Sequence, residues 1–333
     1  MRAVRLHAKG DLRVEEIDPP SPPTAGEVTL GIAAAGICGS DLHNYKTGAW
    51  ISRAPSVAGH EFTGTVTALG EGVSHVRIGD RVVVDSRHTC GTCPACREGR
   101  AQVCETLGFL GEVIDGGFAE RVTLPGRNVL QAADGVPDRH LALAEPLAVA
   151  LHALRRLSPP AASRIVVTGC GPIGGLVALL ARRDGHNICV ADRNDRRAAL
   201  VATAVGGKVV RLSDLAQEHF RFAIDTTGHP DVIAAIVEAI GASGTLALVG
   251  IGAPRPVIDP VSLVEREITV VGCHAFATEL EEINAMLPEL SPSLDFVIAE
   301  QIGLDAVPEA YDRHLAGQVD GLKTIILCAG KPT

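Results

Sequence analysis

The rhythm of apolar and polar positions changes near residue 160. Before it, short apolar runs at 28–32, 61–68, 81–85 and 119–124 are separated by turns, and they predict short strands folded as a compact β-rich barrel. Asp80 follows Gly79 just ahead of the third run and marks a turn into it, while Pro20, Pro22 and Pro23 predict a rigid loop near the start. After Pro159-Pro160, runs of strand length alternate with runs at helical spacing. The pattern predicts strands at 164–168, 188–191, 208–210, 222–225 and 245–249, and helices at 173–183, 196–205 and 230–240. Such alternation predicts an α/β, doubly wound parallel sheet covered on both faces. Near the end, 308–316 reads as helix with a proline in its first turn, and 322–328 reads as a strand. Pattern alone leaves open which domain that last strand joins.

A length of 333 residues favours two domains, and a hydrophobic content of 46% is enough for a substantial core. The formal net charge of −9 argues against electrostatic nucleic-acid binding and against a polybasic membrane anchor. Aromatic residues are only 3%, so the core must be built from Val, Leu, Ile and Ala. The longest uncharged apolar stretch, 166–181, is interrupted by glycines and does not read as a membrane span. The N-terminus carries charge early and lacks a signal-peptide apolar region. The expectation is a cytoplasmic protein with no nucleic-acid or membrane partner.

Three groups of residues carry chemistry. Gly169, Gly171 and Gly174, with Pro172 and Ile173, form G-C-G-P-I-G between a predicted strand and a predicted helix. The first glycine permits a tight turn, the second a close approach to a pyrophosphate, and the third close helix–strand contact. Asp192 ends the next predicted strand, where a carboxylate accepts hydrogen bonds from ribose hydroxyls and repels a 2′-phosphate, which predicts NAD rather than NADP. Arg193 could stack on adenine or hold a phosphate, and Arg197 is grouped with it. With Arg196 they could equally form a solvated helix start.

The second group is Cys90, Cys93, Cys96 and Cys104, spaced C-x2-C-x2-C-x7-C. Four thiolates in one loop describe a closed, structural zinc site; a redox pair and an iron–sulfur cluster are the competing readings. The third group is dispersed. Cys38 lies in GICGSDLH, His60 and Glu61 in AGHEF, and Glu145 in AEPLAVALHAL. Each has an ordinary reading as well: a small buried hydrophobe, a core histidine, a surface acid, and an acid at a helix start. Spacing cannot bring these segments together.

The pieces GICGSDLH, AGHEF, the four-cysteine lobe, GGFAE, AEPLAVALHA and GCGPIG occur in one order along the chain. In this the chain resembles the zinc-dependent medium-chain dehydrogenases over essentially its whole length. CGSDLHNY, DGGFAE, EPLAVALHA and TGHP make it most similar to the polyol and sugar-acid branch, especially the L-idonate 5-dehydrogenases. The resemblance implies a catalytic domain over about 1–145 with its zinc lobe at about 88–106, a dinucleotide-binding domain over 146–294, and a return to the catalytic domain over 295–333. It implies a catalytic zinc held by Cys38, His60 and Glu145 with Glu61 beside it, so two zinc ions per chain, and NAD. It implies hydride transfer from a secondary alcohol of an L-idonate-like sugar acid, in a homo-oligomer, dimer or tetramer. A polyol or short-diol dehydrogenase, and a non-catalytic NAD- and zinc-binding scaffold, are the alternatives. In this reading Ser40 starts a proton relay that His43 continues, and Asn44 and Tyr45 line the substrate pocket. His152 either packs or supports the ligands from behind, with no catalytic role, and Arg53 is one candidate for a substrate carboxylate. Segments 245–249 and 268–271 are expected near a sheet edge where copies could meet.

Overall fold

The computed structural model describes residues 1–252, 256 and 258–328. The chain divides into two compact units, Met1–Glu145 with Leu280–Thr333, and Pro146–Glu279. The last five residues, 329–333, which fall in the expected return segment, lie outside the described residues.

The first unit is built on a seven-stranded sheet. Its path runs Val129–Gln131, Arg81–Val84, Glu61–Leu69, Glu27–Gly36, Lys323–Leu327 and Ile298–Gly303, and Arg121–Pro125 also pairs with Glu27–Gly36. Residues such as Val28, Leu30, Ile32, Phe62, Phe118 and Ile326 fill the core beneath it. The final strand, Lys323–Leu327, therefore belongs to this unit, antiparallel to Glu27–Gly36 and parallel to Ile298–Gly303. The antiparallel register of Glu27–Gly36 against Glu61–Leu69 sets Gly36 opposite Glu61. That pairing matters for the site.

Two features of this unit depart from the sequence pattern. Gly39–Thr47 is a helix, although GSDLHNYKT shows no apolar stripe; only Leu42 and Tyr45 pack on the core, and its folding rests on tertiary contacts. The chain re-enters the unit at Leu280, ahead of the return near 295 that the family resemblance implies. The helix Glu279–Leu290 carries the re-entry: Leu280, Ile283, Leu287 and Leu290 are buried, and Asn284 donates to the Gln131 carbonyl and accepts from the Ala133 amide.

The second unit holds six parallel strands in the order Lys208–Val209, Asn187–Ala191, Arg164–Thr168, Phe222–Asp225, Thr245–Leu248 and Thr269–Gly272. The helices Pro172–Arg183, Asp195–Val205 and Pro230–Ala239 connect them. Strand order reverses direction at Arg164–Thr168 and Phe222–Asp225, the switch point where such sheets take ligands. The edge is Thr269–Gly272, whose residues are largely exposed, and Thr245–Leu248 is interior to the sheet. Among the described residues no helix is long and apolar enough to cross a membrane.

Candidate metal centres and dinucleotide site

The four-cysteine loop is organised by its own backbone. Cys93 starts the one-turn helix Pro94–Arg97, and the sulfurs of Cys90, Cys93, Cys96 and Cys104 lie within 4.8 Å of one another. The Thr92 and Cys93 amides donate to Cys90 Sγ at 3.4 and 3.3 Å, and the Cys90 amide donates to Cys104 Sγ at 3.4 Å. The Thr92 and Cys93 amides bring the Cys90 thiol down to about 5, while loss of solvent and the neighbouring thiols push Cys96 up to about 12. Amide donors already aimed at sulfur stabilise thiolate, the form that binds a metal. The donor set fits a closed four-sulfur zinc site, with no position left for substrate.

The dispersed ligands also meet. One donor atom each from Cys38, His60 and Glu61 lie within 4.8 Å of one another. Asp41, which the sequence reading passed over, orients this group: one oxygen accepts from the Cys38 amide at 2.9 Å and the other sits 3.3 Å from His60 Nδ1. A histidine held through Nδ1 presents Nε2 outward, the usual arrangement behind a metal-bound imidazole. Burial lowers the His60 pKa, but the charges of Asp41 and Cys38 outweigh it and hold it well above the usual histidine range. A metal must displace that proton to bind.

Glu61 is fully buried and committed elsewhere. Lys323 Nζ donates to its two oxygens at 2.7 and 2.6 Å and to the Ile37 carbonyl at 3.0 Å. A Cβ on Gly36 would stand 2.4 Å from Glu61 Oε2, so glycine at the register position opposite is what makes room for the carboxylate. Burial lowers the Lys323 pKa, yet Glu61 and Cys38 raise it above the ordinary lysine value. Lys323 thus stays charged in a desolvated pair with Glu61. Lys323 lies far along the sequence from every motif, in a strand that reads as plain apolar core.

Glu145 stands outside the three-residue group. Its carboxyl accepts from Ser86 Oγ at 2.9 Å, and burial, with a contribution from Glu61 against the pull of His60 and Lys323, raises its pKa to about 7. It lies close enough to His60 and Glu61 to feel their charge. Ser40 Oγ is 3.3 Å from His60 Nε2, at the face where a metal would bind. His43 is exposed with its ring 4.7 Å from Trp50, and among the described residues no hydrogen bond links it to Ser40. Asn44 is buried and accepts from the Trp50 amide, and Tyr45 packs edge-on against Tyr311. Arg53 is exposed and paired with Asp115. His152 is buried against Glu279, which fits its reading as a packing residue.

In the second unit the three glycines have three different surroundings. Gly169 has φ +87°, and a Cβ there would lie 2.5 Å from Thr226 Oγ1. A Cβ on Gly174 would lie 1.8 Å from the Gly169 carbonyl. Gly171 has nothing within 4 Å, and it caps the Pro172–Arg183 helix, whose first turn contains Pro172 and Ile173. The tight turn, the close packing and the open approach to a helix N-terminus fit a pyrophosphate. Asp192 accepts from the Cys170 amide at 2.6 Å and the Asn194 amide at 2.7 Å, fixing its carboxylate beside the glycine turn. Arg193 is exposed next to it; burial and Asp192 push the Cys170 thiol up to about 12, and Arg197, in the first turn of Asp195–Val205, is close enough to oppose them in part.

An alcohol dehydrogenase GroES-like domain matches residues 24–134, and a zinc-binding dehydrogenase domain matches 172–291. The chain belongs to the zinc-dependent medium-chain dehydrogenases and is an oxidoreductase of that family. It is 31% identical to 2-dehydro-3-deoxy-L-galactonate 5-dehydrogenase of Pseudoalteromonas atlantica, over 92% of this chain and 93% of that one. It is equally 31% identical to L-threonine 3-dehydrogenase of Saccharopolyspora erythraea, over 96% and 97%. An alcohol dehydrogenase of Escherichia coli CFT073, solved with NADH, superposes with a TM-score of 0.90 at 27% identity, covering 98% of this chain and 99% of that one. Relatives of equal identity thus carry different substrate names.

Proposed function

We propose that this dehydrogenase oxidises a secondary hydroxyl of a sugar acid of the L-idonate type, with NAD as hydride acceptor and a zinc ion in each of two sites. The observation that carries the reading is the buried meeting of Cys38, His60 and Glu61, with Ser40 beside His60 Nε2. A zinc ion there supplies a Lewis acid that makes a bound alcohol easier to deprotonate, and NAD supplies the redox chemistry. The protein's part is to hold these groups. Asp41 orients His60, Lys323 neutralises Glu61, Ser86 restrains Glu145 as the further carboxylate donor, and Ser40 is the first proton acceptor on the way out. His43, whose ring lies 4.7 Å from Trp50, continues that path. Asn44 and Tyr45 flank the path on the same helix.

Asp192 supports NAD over NADP, because a 2′-phosphate would sit against a fixed carboxylate. The sugar-acid assignment draws on the resemblance to the L-idonate branch and on the sugar-acid name of one relative. A neutral polyol is the second reading. One observation favours it: Arg53, the arginine the sequence offers for a substrate carboxylate, is already engaged by Asp115. The exposed edge strand Thr269–Gly272, with Val261 and Val264 exposed nearby in sequence, supports association of copies as a dimer or tetramer. We place the enzyme in the cytoplasm.

NADH formation, followed with L-idonate, L-galactonate, sorbitol, xylitol, a short diol and L-threonine, tests the reading. The highest kcat/KM is expected with a sugar acid. A polyol far ahead of every acid selects the second reading, and no zinc-dependent turnover with any of them refutes both.

A further inference from the structure

One fully buried carboxylate in the second unit serves neither metal site and has no cation partner among the described residues. Asp225 ends the Phe222–Asp225 strand with no exposed surface. Its charge is met by hydrogen bonds alone. Oδ1 accepts from Thr168 Oγ1 at 2.8 Å, Thr227 Oγ1 at 2.7 Å and the Thr227 amide at 3.2 Å, and Oδ2 accepts from the Gly228 amide at 2.8 Å. Burying an unpaired carboxylate is costly, and an apolar residue would serve a sheet core better. What the charge secures is the backbone that follows.

The segment from Thr226 to Gly228 is clamped on two sides. Thr226 Oγ1 donates to the carbonyls of Thr168 and Gly169, both at 3.0 Å, which ties it to the glycine turn. On the other side a Cβ on Gly250 would lie 2.1 Å from the Gly228 nitrogen, and one on Gly252 would lie 2.2 Å from the Gly228 carbonyl oxygen. Backbone therefore touches backbone at the carboxyl ends of Arg164–Thr168, Phe222–Asp225 and Thr245–Leu248, next to the switch point of the sheet. Asp192, at the end of Asn187–Ala191, lies on one side of Arg164–Thr168, and Asp225 lies on the other. A dinucleotide spans such a crevice with its two halves on opposite sides.

We propose that Asp225 is a positioning residue for the cofactor: it fixes the loop 226–228 as the wall that receives the half of the dinucleotide remote from adenosine. The inference rests on the dinucleotide reading of this unit. Asp225→Asn keeps the size but only one oxygen, which cannot accept from both the Thr227 and the Gly228 N–H, so the loop loses one of its two backbone anchors. Titrating the zinc-loaded protein with NADH and, separately, with AMP reads the two halves apart, because AMP reaches only the Asp192 side and the phosphate turn. Asp225→Asn is expected to weaken NADH at least about tenfold, the scale of one unsatisfied buried donor, while AMP changes by less than about threefold. Thr227→Val, which deletes one hydroxyl and no charge, should shift NADH in the same direction by a smaller factor with AMP unchanged; if Asp225→Asn does not fold, this variant decides alone. Equal weakening of both ligands would mean that Asp225 only stabilises the unit, and unchanged NADH affinity in both variants would overturn the proposal. A wild-type protein that binds neither ligand would remove the dinucleotide reading itself, and the proposal with it.

Discussion

The two metal-ligand clusters of the first unit differ in how each is held. The four cysteines sit on one surface loop, their sulfurs drawn together by backbone amides of the same loop, and Cys90 is exposed. Cys38 and the adjacent pair His60 and Glu61 come from two separate segments and are held by Asp41 and by Lys323 from the last strand, with Glu145 and Ser86 alongside. The first cluster is uniform, soft and self-contained. The second mixes sulfur, nitrogen and oxygen and is balanced by a buried lysine. A closed thiolate site contributes to folding, whereas a mixed site with harder ligands keeps a metal acidic enough to act on an alcohol. The difference teaches that a local loop suffices where the metal only has to hold the chain. Where the metal has to react, several distant elements are needed to set charge and direction.

The sharpest way to break this comparison is to remove ligands from the mixed site. Cys38→Ser and His60→Ala are each expected to lower kcat by at least about a thousandfold, since losing several kcal/mol of Lewis-acid stabilisation costs a factor of ten per 1.36 kcal/mol. NADH affinity should be unchanged, because the glycine turn and Asp192 belong to the other unit. Metal analysis must accompany the kinetics; turnover near wild type in either variant would end the distinction between the clusters. Cys93→Ser should do the opposite. We expect a thermal midpoint lower by about 10 °C, as a loss of ~3–5 kcal/mol would give at roughly 2–4 °C per kcal/mol, with turnover per zinc-loaded folded molecule little changed. Loss of turnover with an unchanged midpoint would place the chemistry at the cysteine lobe.

Lys323→Met tests the charge balance. Removing one partner of a buried pair leaves Glu61 unpaired and should cost ~3–5 kcal/mol in chemical denaturation. Lys323→Met with Glu61→Gln should recover part of that loss. A single variant as stable as the parent would show that the pair contributes nothing. The smallest effect is a pH slope. The Glu145 carboxyl, raised to about 7 in the metal-free site, binds a proton in the folded chain that the unfolded chain has already released. Metal-free stability should therefore fall as pH rises from about 4.5, the ordinary carboxyl value, to about 7, and Glu145→Gln should flatten that slope. Thermal midpoints of metal-free protein across this range check it; a slope unchanged by Glu145→Gln would assign it to another group.

Much of this was legible along the chain because some chemistry is local. Four cysteines within one loop cannot avoid one another, and G-C-G-P-I-G between a strand and a helix dictates a turn with an open middle glycine, as Gly171 has. The alternation after residue 160 likewise specified the strands of the parallel sheet, since periodicity reports which face of each element is buried. Tertiary structure alone decided the rest. It made a helix of the polar Gly39–Thr47 segment, began the return to the first unit at Leu280, and set Gly36 opposite Glu61 so that a carboxylate had room. It brought Lys323 to Glu61, Asp41 to His60, and Ser86 to Glu145. The physical reason is that sequence periodicity encodes burial, which every residue reports for itself. The partner of a buried charge depends on strand register and on the return of a distant segment, and no local pattern carries that.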